Sequence, residues 1–117
     1  MSGRVRPAVK ALIQKEEKIL VLETEAGEET YWVLPGGKVE YGEHPMQTLE
    51  REIEEELSVN TSIGEAIGMY HFFIGSEEEG DEIVLTVFQT EIEGEIDIEN
   101  NPAEEGIVEY HWLMPEE

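Results

Sequence analysis

Short apolar runs, separated by polar or glycine-containing segments, divide the first third of the chain into predicted strands. Two β-branched runs, at residues 7–14 and 18–23, are separated by three charged residues and predict a hairpin or two adjacent strands. The polar stretch 25–30 is typical of a loop, and residues 31–34 predict a short strand after it. This part of the chain is therefore expected to be mostly sheet.

The second half of the chain follows the same pattern with longer strands. Gly64 and Gly68 interrupt the first of these runs, and glycine inside a strand pattern predicts a bulge. The apolar alternation predicts strands at residues 62–74, 82–92 and 106–114, a loop at 75–81 and a short additional piece at 95–99. Neither an internal repeat nor a domain linker is visible.

Between these halves, residues 46–57 have the period of a helix. At about 100° per residue, one stripe carries the apolar side chains that would pack on a sheet, namely Met46, Leu49, Ile53 and Leu57. Three carboxylates, Glu52, Glu55 and Glu56, stand at i, i+3 and i+4 on the adjoining strip.

The charges on this helix weaken it when it is considered alone. Like charges at this spacing destabilise a helix by roughly 0.2 to 0.5 kcal/mol per pair. The macrodipole also disfavours the anions Glu55 and Glu56 in the last turn, and Arg51 is the cation placed to relieve them. A hard divalent cation needs such a group of oxygen ligands, so the pattern predicts a Mg²⁺ or Mn²⁺ site. The simpler interpretation is an amphipathic helix with a solvated acidic face.

A glycine turn precedes the helix and favours the metal-binding interpretation. Gly36 and Gly37 follow Pro35 and allow the backbone to turn sharply and approach a ligand. Pro45 suits the first helical position. The turn is not a Walker phosphate loop, because Val39 follows Lys38 where that motif has Ser or Thr.

Residues 37–59 resemble the signature of the Nudix (MutT-like) hydrolases, G-x5-E-x7-R-E-U-x-E-E-x-G-U, where U is a bulky aliphatic residue. The positions that match in type and spacing are Gly37, Glu43, Arg51, Glu52, Ile53, Glu55, Glu56 and Val59. Ser58 departs from the family's glycine, at a position that looks like a left-handed helix cap. His44 stands where Ser or Thr is the more usual N-cap.

The resemblance implies roles for individual residues. Glu52, Glu55 and Glu56 would bind the metal, Glu52 or Glu56 would also activate water, and the backbone carbonyl of Gly36 would add a ligand. Arg51 would orient the carboxylates, and Glu43 would hold the loop to the helix or approach a second ion through water. Lys38 would meet a phosphate or remain a solvated lysine. The family's further carboxylate base, in a loop before the last strand, points to Glu104 or Glu105, although either is more simply a surface residue.

The resemblance also implies the fold. We expect one α/β (α+β) domain over residues 1–117, with a mixed β-sheet sandwiched between helices. A second helix usually follows the last strand in this family, and we expect it to be absent or truncated here because the sequence stops at Glu117. ADP-ribose-specific members carry a proline about 15 residues past the signature, where this chain has Ile74 and Gly75, which counts against that substrate.

Composition narrows the functional classes. The net charge of −22 arises from 29 acidic residues against seven Lys and Arg, and such a field repels nucleic acid polymers. The chain has no cysteine and no apolar run of membrane-spanning length, so we expect a cytoplasmic protein that does not bind membranes. A homodimer would need an uncharged patch, which the sequence pattern does not locate.

These observations predict an enzyme that uses Mg²⁺ or Mn²⁺. It would be a pyrophosphohydrolase that cleaves a phosphoric anhydride in a nucleoside diphosphate linked to another group, by attack of metal-activated water. The alternatives are a non-catalytic nucleotide-sensing domain with the same fold, and an acidic interaction protein or cation buffer. The complete set of three carboxylates and Arg51 favours the enzyme, and the glycine turn argues against the buffer.

Overall fold

The computed structural model describes residues 4–74, 80–99 and 106–115. One helix, α1, and eight strands lie within these ranges. Their bounds are β1 Arg4–Leu12, β2 Gln14–Lys15, β3 Lys18–Ala26, β4 Glu29–Val33, β5 Gly36–Lys38, α1 Pro45–Leu57, β6 Asn60–Ile74, β7 Asp81–Glu93 and β8 Ile107–Leu113. No helix in this part of the chain is both long and apolar enough to cross a membrane.

The strands form two sheets. The first has the order β5-β1-β7-β6, in which β1 and β7 are parallel and the other pairs antiparallel. In the second, β3 pairs with β2, β4 and β8, all antiparallel. This arrangement confirms the predicted mixed α+β class. The second helix that usually follows the last strand in this family, which we expect to be absent or truncated here, is not seen among the described residues.

The apolar stripe of α1 packs into the core. Leu49, Ile53 and Leu57 are fully buried and join a cluster with Leu20 and Leu22 of β3. Other members come from β1, from the residue that follows it and from the second residue after α1, namely Val9, Ala11, Ile13 and Val59. The predicted helix is confirmed, although Met46, at 37% exposure, lies at the edge of the stripe and not in the core.

Both ends of α1 are capped, at the N-terminus by His44 and at the C-terminus by Ser58. At the N-terminus, the Met46 N–H donates to His44 Nδ1 (3.2 Å) and the His44 N–H donates to Gln47 Oε1 (2.9 Å). At the C-terminus, Ser58 has φ 60° and its N–H donates to the Glu54 carbonyl (2.9 Å). The predicted left-handed cap is therefore present without a glycine, which costs on the order of 1 kcal/mol.

The long strands follow the sequence prediction closely. β6 and β7 pair along nearly their whole length, and the register shifts on either side of Ala66, close to Gly64 and Gly68, confirm the predicted bulges. The last predicted strand is also confirmed, as β8. The predicted short piece at residues 95–99 does not form a strand. Within it, the Asp97 N–H donates to the Leu57 carbonyl at the end of α1 (2.8 Å). Most of the predicted loop 75–81 lies outside the described residues.

Two predictions for the first third of the chain need correction. Residues 25–30 are not a loop, because β3 and β4 pair through Glu25↔Thr30 and turn at Gly27. The hairpin after β1 is formed by the short β2 with β3, whereas β1 itself joins the other sheet and pairs with β5 and β7. Local apolar pattern predicts a strand but not its partner, and the partners of β1 are distant in sequence.

Strand β6 forms one edge of the first sheet and carries no acidic residue between positions 66 and 74. Several of its large side chains are exposed, among them Met69, Tyr70, Phe72 and Phe73. An uncharged surface of this kind is what dimerisation of so acidic a chain would require. The homodimer itself stays a prediction.

Candidate active site

The site is built where the glycine turn of β5 meets α1. The Gly36 N–H donates to Glu56 Oε1 at 2.9 Å. A Cβ placed on Gly37 would lie 2.5 to 2.8 Å from the carboxylate atoms of Glu52, so only glycine lets the backbone come this close. Two of the three predicted carboxylates therefore lie directly against the turn.

Both carboxylates are buried. Glu52 is 8% exposed and Glu56 is 4% exposed, and no other acidic residue in the described ranges is buried. Burial of a charge destabilises a fold unless the charge is paired or hydrogen-bonded. Here Arg51 Nη1 lies 3.2 Å from Glu52 Oε1, and Glu56 accepts a hydrogen bond from the Gly36 N–H.

Arg51 is the centre of the ion pairs around the site. Its Nε and Nη2 donate to the two oxygens of Glu43 at 2.8 and 3.0 Å, which is the bidentate geometry of a strong arginine–carboxylate pair. Its Nη1 is also 3.4 Å from Glu55, at the i, i+4 spacing predicted from sequence. Arg51 thus ties the loop before α1 to the acidic strip.

Glu43 is held as an anion by these contacts. Hydrogen bonds from Arg51, then from the Thr48 hydroxyl (2.8 Å), lower the pKa of Glu43 from its ordinary 4.5 to about 2, although partial burial acts in the opposite direction. The same pairing raises the pKa of Arg51. Both groups therefore stay charged throughout the physiological range.

The carboxylates do not form a closed cage. Across residues 4–74, 80–99 and 106–115, no three Asp, Glu or His side chains are gathered closely enough to hold a metal ion as they stand. Glu52 and Glu55 share the Arg51 Nη1 donor, whereas Glu56 accepts from the backbone of the glycine turn. They still lie on one strip of α1, within two helical turns.

Comparison of the sequence with models of known protein families identifies the family of this chain. The family model described as the NUDIX domain matches residues 4–117, nearly the entire chain. The chain belongs to the Nudix family. The resemblance noted in the sequence is thereby confirmed at the level of the family.

Individual Nudix relatives agree with this result. The chain is 36% identical over 64 residues to the CTP pyrophosphohydrolase of Escherichia coli K12, an alignment that spans 53% of this chain and 47% of that protein. The solution structure of the E. coli ORF135 protein matches with a TM-score of 0.79 and 26% identity, covering 97% of this chain and 76% of the other. The MutT protein of Methanosarcina mazei Go1 matches with a TM-score of 0.79 over 99% and 81% of the two chains; at 24% identity it supports the fold alone.

The donor set of the Nudix signature here suits a divalent cation. Nudix hydrolases generally use divalent metals. Glu52, Glu55 and Glu56 offer only oxygen ligands, which Mg²⁺ and Mn²⁺ prefer. Gly37 lets the turn lie directly against the Glu52 carboxylate, and both residues line an open cleft. On these grounds the residues fit the ion.

The remaining predicted residues are partly accounted for. Lys38 is exposed at the end of β5, in the same open cleft as Gly36, Gly37 and Glu52. Glu104 and Glu105 lie outside the described residues.

Sequence inspection missed two contributors. Thr48 is fully buried and donates to Glu43, and no motif marks it. Arg6 also lines the cleft, although it lies 30 residues before Gly36 in the sequence. Knowledge that β1 pairs with β5 would have pointed to Arg6, but that pairing has no local signal.

Proposed function

We propose that the chain is a Mg²⁺- or Mn²⁺-dependent pyrophosphohydrolase. Its substrate would be a nucleotide or a nucleoside diphosphate linked to another group, cleaved at a phosphoric anhydride. The observation that carries the proposal is the pair of buried carboxylates, Glu52 and Glu56, pressed against the glycine turn. Such burial does not help a fold for its own sake, so it supports a functional use of the pair.

The proposed metal ligands are Glu52, Glu55 and Glu56, with the backbone carbonyl of Gly36. When bound, the ion would polarise a phosphoryl oxygen, neutralise the leaving group and lower the pKa of water. Metal binding would also compensate the repulsion between these carboxylates, which the helix otherwise bears near its C-terminus.

The chain's own residues would supply the proton acceptor, position the carboxylates and bind the substrate. Glu52 or Glu56 would accept the proton of the attacking water, whose oxygen bonds to one phosphorus as the bridging P–O bond breaks. The products would be two phosphorylated fragments. Arg51 would position Glu52 and Glu55, and Glu43 would keep Arg51 in place through their bidentate pair. Lys38 would contact a substrate phosphate.

The comparisons support the same activity class. A relative named CTP pyrophosphohydrolase makes nucleoside triphosphates natural first substrates to try. The alignment covers about half of that relative, so its substrate is a starting point for this chain. The net charge of −22 supports a small phosphorylated ligand carried with divalent ions over a nucleic acid polymer.

One observation favours a second candidate, a non-catalytic nucleotide-sensing domain. Glu55 turns toward Arg51, and the described residues hold no ready group of three acids for an ion. A sensor would bind nucleotide without releasing phosphate or pyrophosphate. Turnover separates the two functions directly.

The test is a product-release assay with and without Mg²⁺, across nucleoside triphosphates, ADP-ribose, dinucleoside polyphosphates and sugar nucleotides. The decisive variant is Glu56→Gln, because the glutamine Oε1 can still accept the Gly36 hydrogen bond and preserve the fold. We expect it to lower kcat by about 100-fold or more. The matched control is Glu54→Gln, on the exposed face of the same helix, which should keep wild-type turnover. Near-normal activity of a folded Glu56→Gln variant would contradict the assignment.

A further inference from the structure

Cations are few in this chain, and three of the seven lie together on one face of the first sheet. Residues paired across strands share a face, and alternate residues of one strand point the same way. Lys38 of β5 pairs with Ala8 of β1, and Lys10 pairs with Gly36. Arg6, two residues before Ala8, is on the same face. Arg6, Lys10 and Lys38 therefore surround the small, buried Ala8.

Two of these cations reach the candidate active site. Arg6 and Lys38 line one open cleft together with Gly37 and Glu52. Strand β5 is the edge strand of its sheet, so the cleft continues over this edge to α1. A phosphorylated ligand in this cleft would meet carboxylates on one side and cations on the other.

Arg6 is held in place by a contact that leaves much of its guanidinium available. Its Nη1 lies 3.4 Å from Asp81 Oδ2, the one carboxylate contact recorded for it in the described ranges. A guanidinium has five N–H donors and matches phosphate geometry bidentately. Arg4 contacts the same Asp81 carboxylate, but its side chain is 69% exposed and does not line the cleft.

We propose that Arg6, together with Lys38, binds phosphate oxygens of the substrate and selects nucleoside triphosphates over nucleoside diphosphate conjugates. This inference rests on the proposed function. A nucleoside triphosphate carries a terminal phosphate, which a conjugate such as ADP-ribose replaces with an uncharged sugar. The triphosphate therefore binds more strongly than the conjugate to a cleft lined by Arg6 and Lys38. In a chain of net charge −22, nearby cations are also what makes the approach of such an anion favourable.

The alternative is that Arg6 and Asp81 form a surface ion pair, which would contribute little to stability or to function. Arg4 is the matched control, because Arg4→Gln removes a charge from the same strand and from the same Asp81 partner. An effect due to general charge or to Asp81 would appear in both variants. An effect due to substrate contact would appear only in Arg6→Gln.

The experiment measures kcat and KM for a nucleoside triphosphate and for ADP-ribose, with wild type, Arg6→Gln and Arg4→Gln. Calorimetric titration with inorganic tripolyphosphate gives a binding readout independent of turnover. For Arg6→Gln we expect KM for the triphosphate to rise at least about tenfold with kcat nearly unchanged, and tripolyphosphate affinity to fall by a similar factor. KM for ADP-ribose should change less, and Arg4→Gln should stay within about twofold of wild type.

Equal behaviour of Arg6→Gln and Arg4→Gln would overturn the inference and leave the proposed function intact. A wild-type protein that hydrolyses no nucleotide and binds no tripolyphosphate would overturn both. Thermal unfolding of each variant is measured first. If Arg6→Gln does not fold, Arg6→Lys replaces it; a rise in KM is then still expected because the bidentate fork is lost, and an unchanged KM would overturn the inference.

Discussion

Replacement of Gly37 by alanine tests the site more finely than removal of a carboxylate. The new Cβ would stand 2.5 Å from Glu52 Cδ and 2.6 Å from its Oε1, whereas carbon atoms in contact are about 3.5 to 4.0 Å apart. The backbone of Gly37 does not have positive φ, so alanine is compatible with it. The Glu52 carboxylate must therefore move by about 1 Å, since it is the end of a flexible side chain.

A displacement of this size should affect catalysis far more than stability. Misplacement of a catalytic group by about 1 Å lowers turnover by about 100-fold. We expect Gly37→Ala to show such a loss of kcat in Mg²⁺-dependent product release, with a thermal unfolding midpoint close to that of wild type.

The control is Gly27→Ala, in the turn between β3 and β4. Gly27 has φ +66° and no neighbour within 4 Å of an added Cβ, so alanine there strains the backbone without touching the site. It should lose about 1 kcal/mol of stability and keep wild-type turnover. Wild-type kcat in a folded Gly37→Ala variant would refute the placement of Glu52 at the reacting centre.

Three further predictions concern the ends of α1 and its ion pairs. The pKa of Glu43 in the folded protein lies at about 2, below its ordinary 4.5, so its contribution to stability is full above pH 4.5 and is lost as the pH falls toward 2. The stability of Glu43→Gln, measured by acid unfolding, should therefore lack this pH dependence. Identical acid-unfolding curves for wild type and Glu43→Gln would contradict the prediction. Ser58→Gly should raise stability by up to about 1 kcal/mol in thermal unfolding, because φ 60° suits glycine, and a lower midpoint would refute the capping argument. Arg51→Lys should lower kcat severalfold although the positive charge is kept, because the bidentate pair with Glu43 is lost. An unchanged kcat would contradict the role of Arg51 in positioning the carboxylates.

Local features of the sequence predicted the centre of this structure well. The 3.6-residue period placed α1, and the serine in the glycine position of the signature marked the left-handed cap that the structure has at Ser58. Gly64 and Gly68 marked the bulges of β6. In each case the cause lies within a few residues of the effect, so a single stretch of sequence contains the needed information.

The features that were not predicted depend on contacts between distant parts of the chain. β1 pairs in parallel with β7, more than 70 residues later, and this partner cannot be read from the apolar run of β1. The presence of Arg6 in the cleft follows from the pairing of β1 with β5. The contact between Thr48 and Glu43 depends on how the loop folds back on α1. The fold therefore brings together residues that no local pattern joins.

Manganese binding tests most directly whether the acidic strip of α1 is a metal site. The measurement is titration of the wild-type chain with Mn²⁺ followed by electron paramagnetic resonance, with a non-hydrolysable nucleotide present. Glu56→Gln is the test variant, and Glu54→Gln controls for weak binding to the acidic surface. We expect a saturable site in wild type and Glu54→Gln that is weakened at least about tenfold in Glu56→Gln. Equal occupancy in all three proteins, or no saturable site in wild type, would contradict a metal-dependent function for this strip.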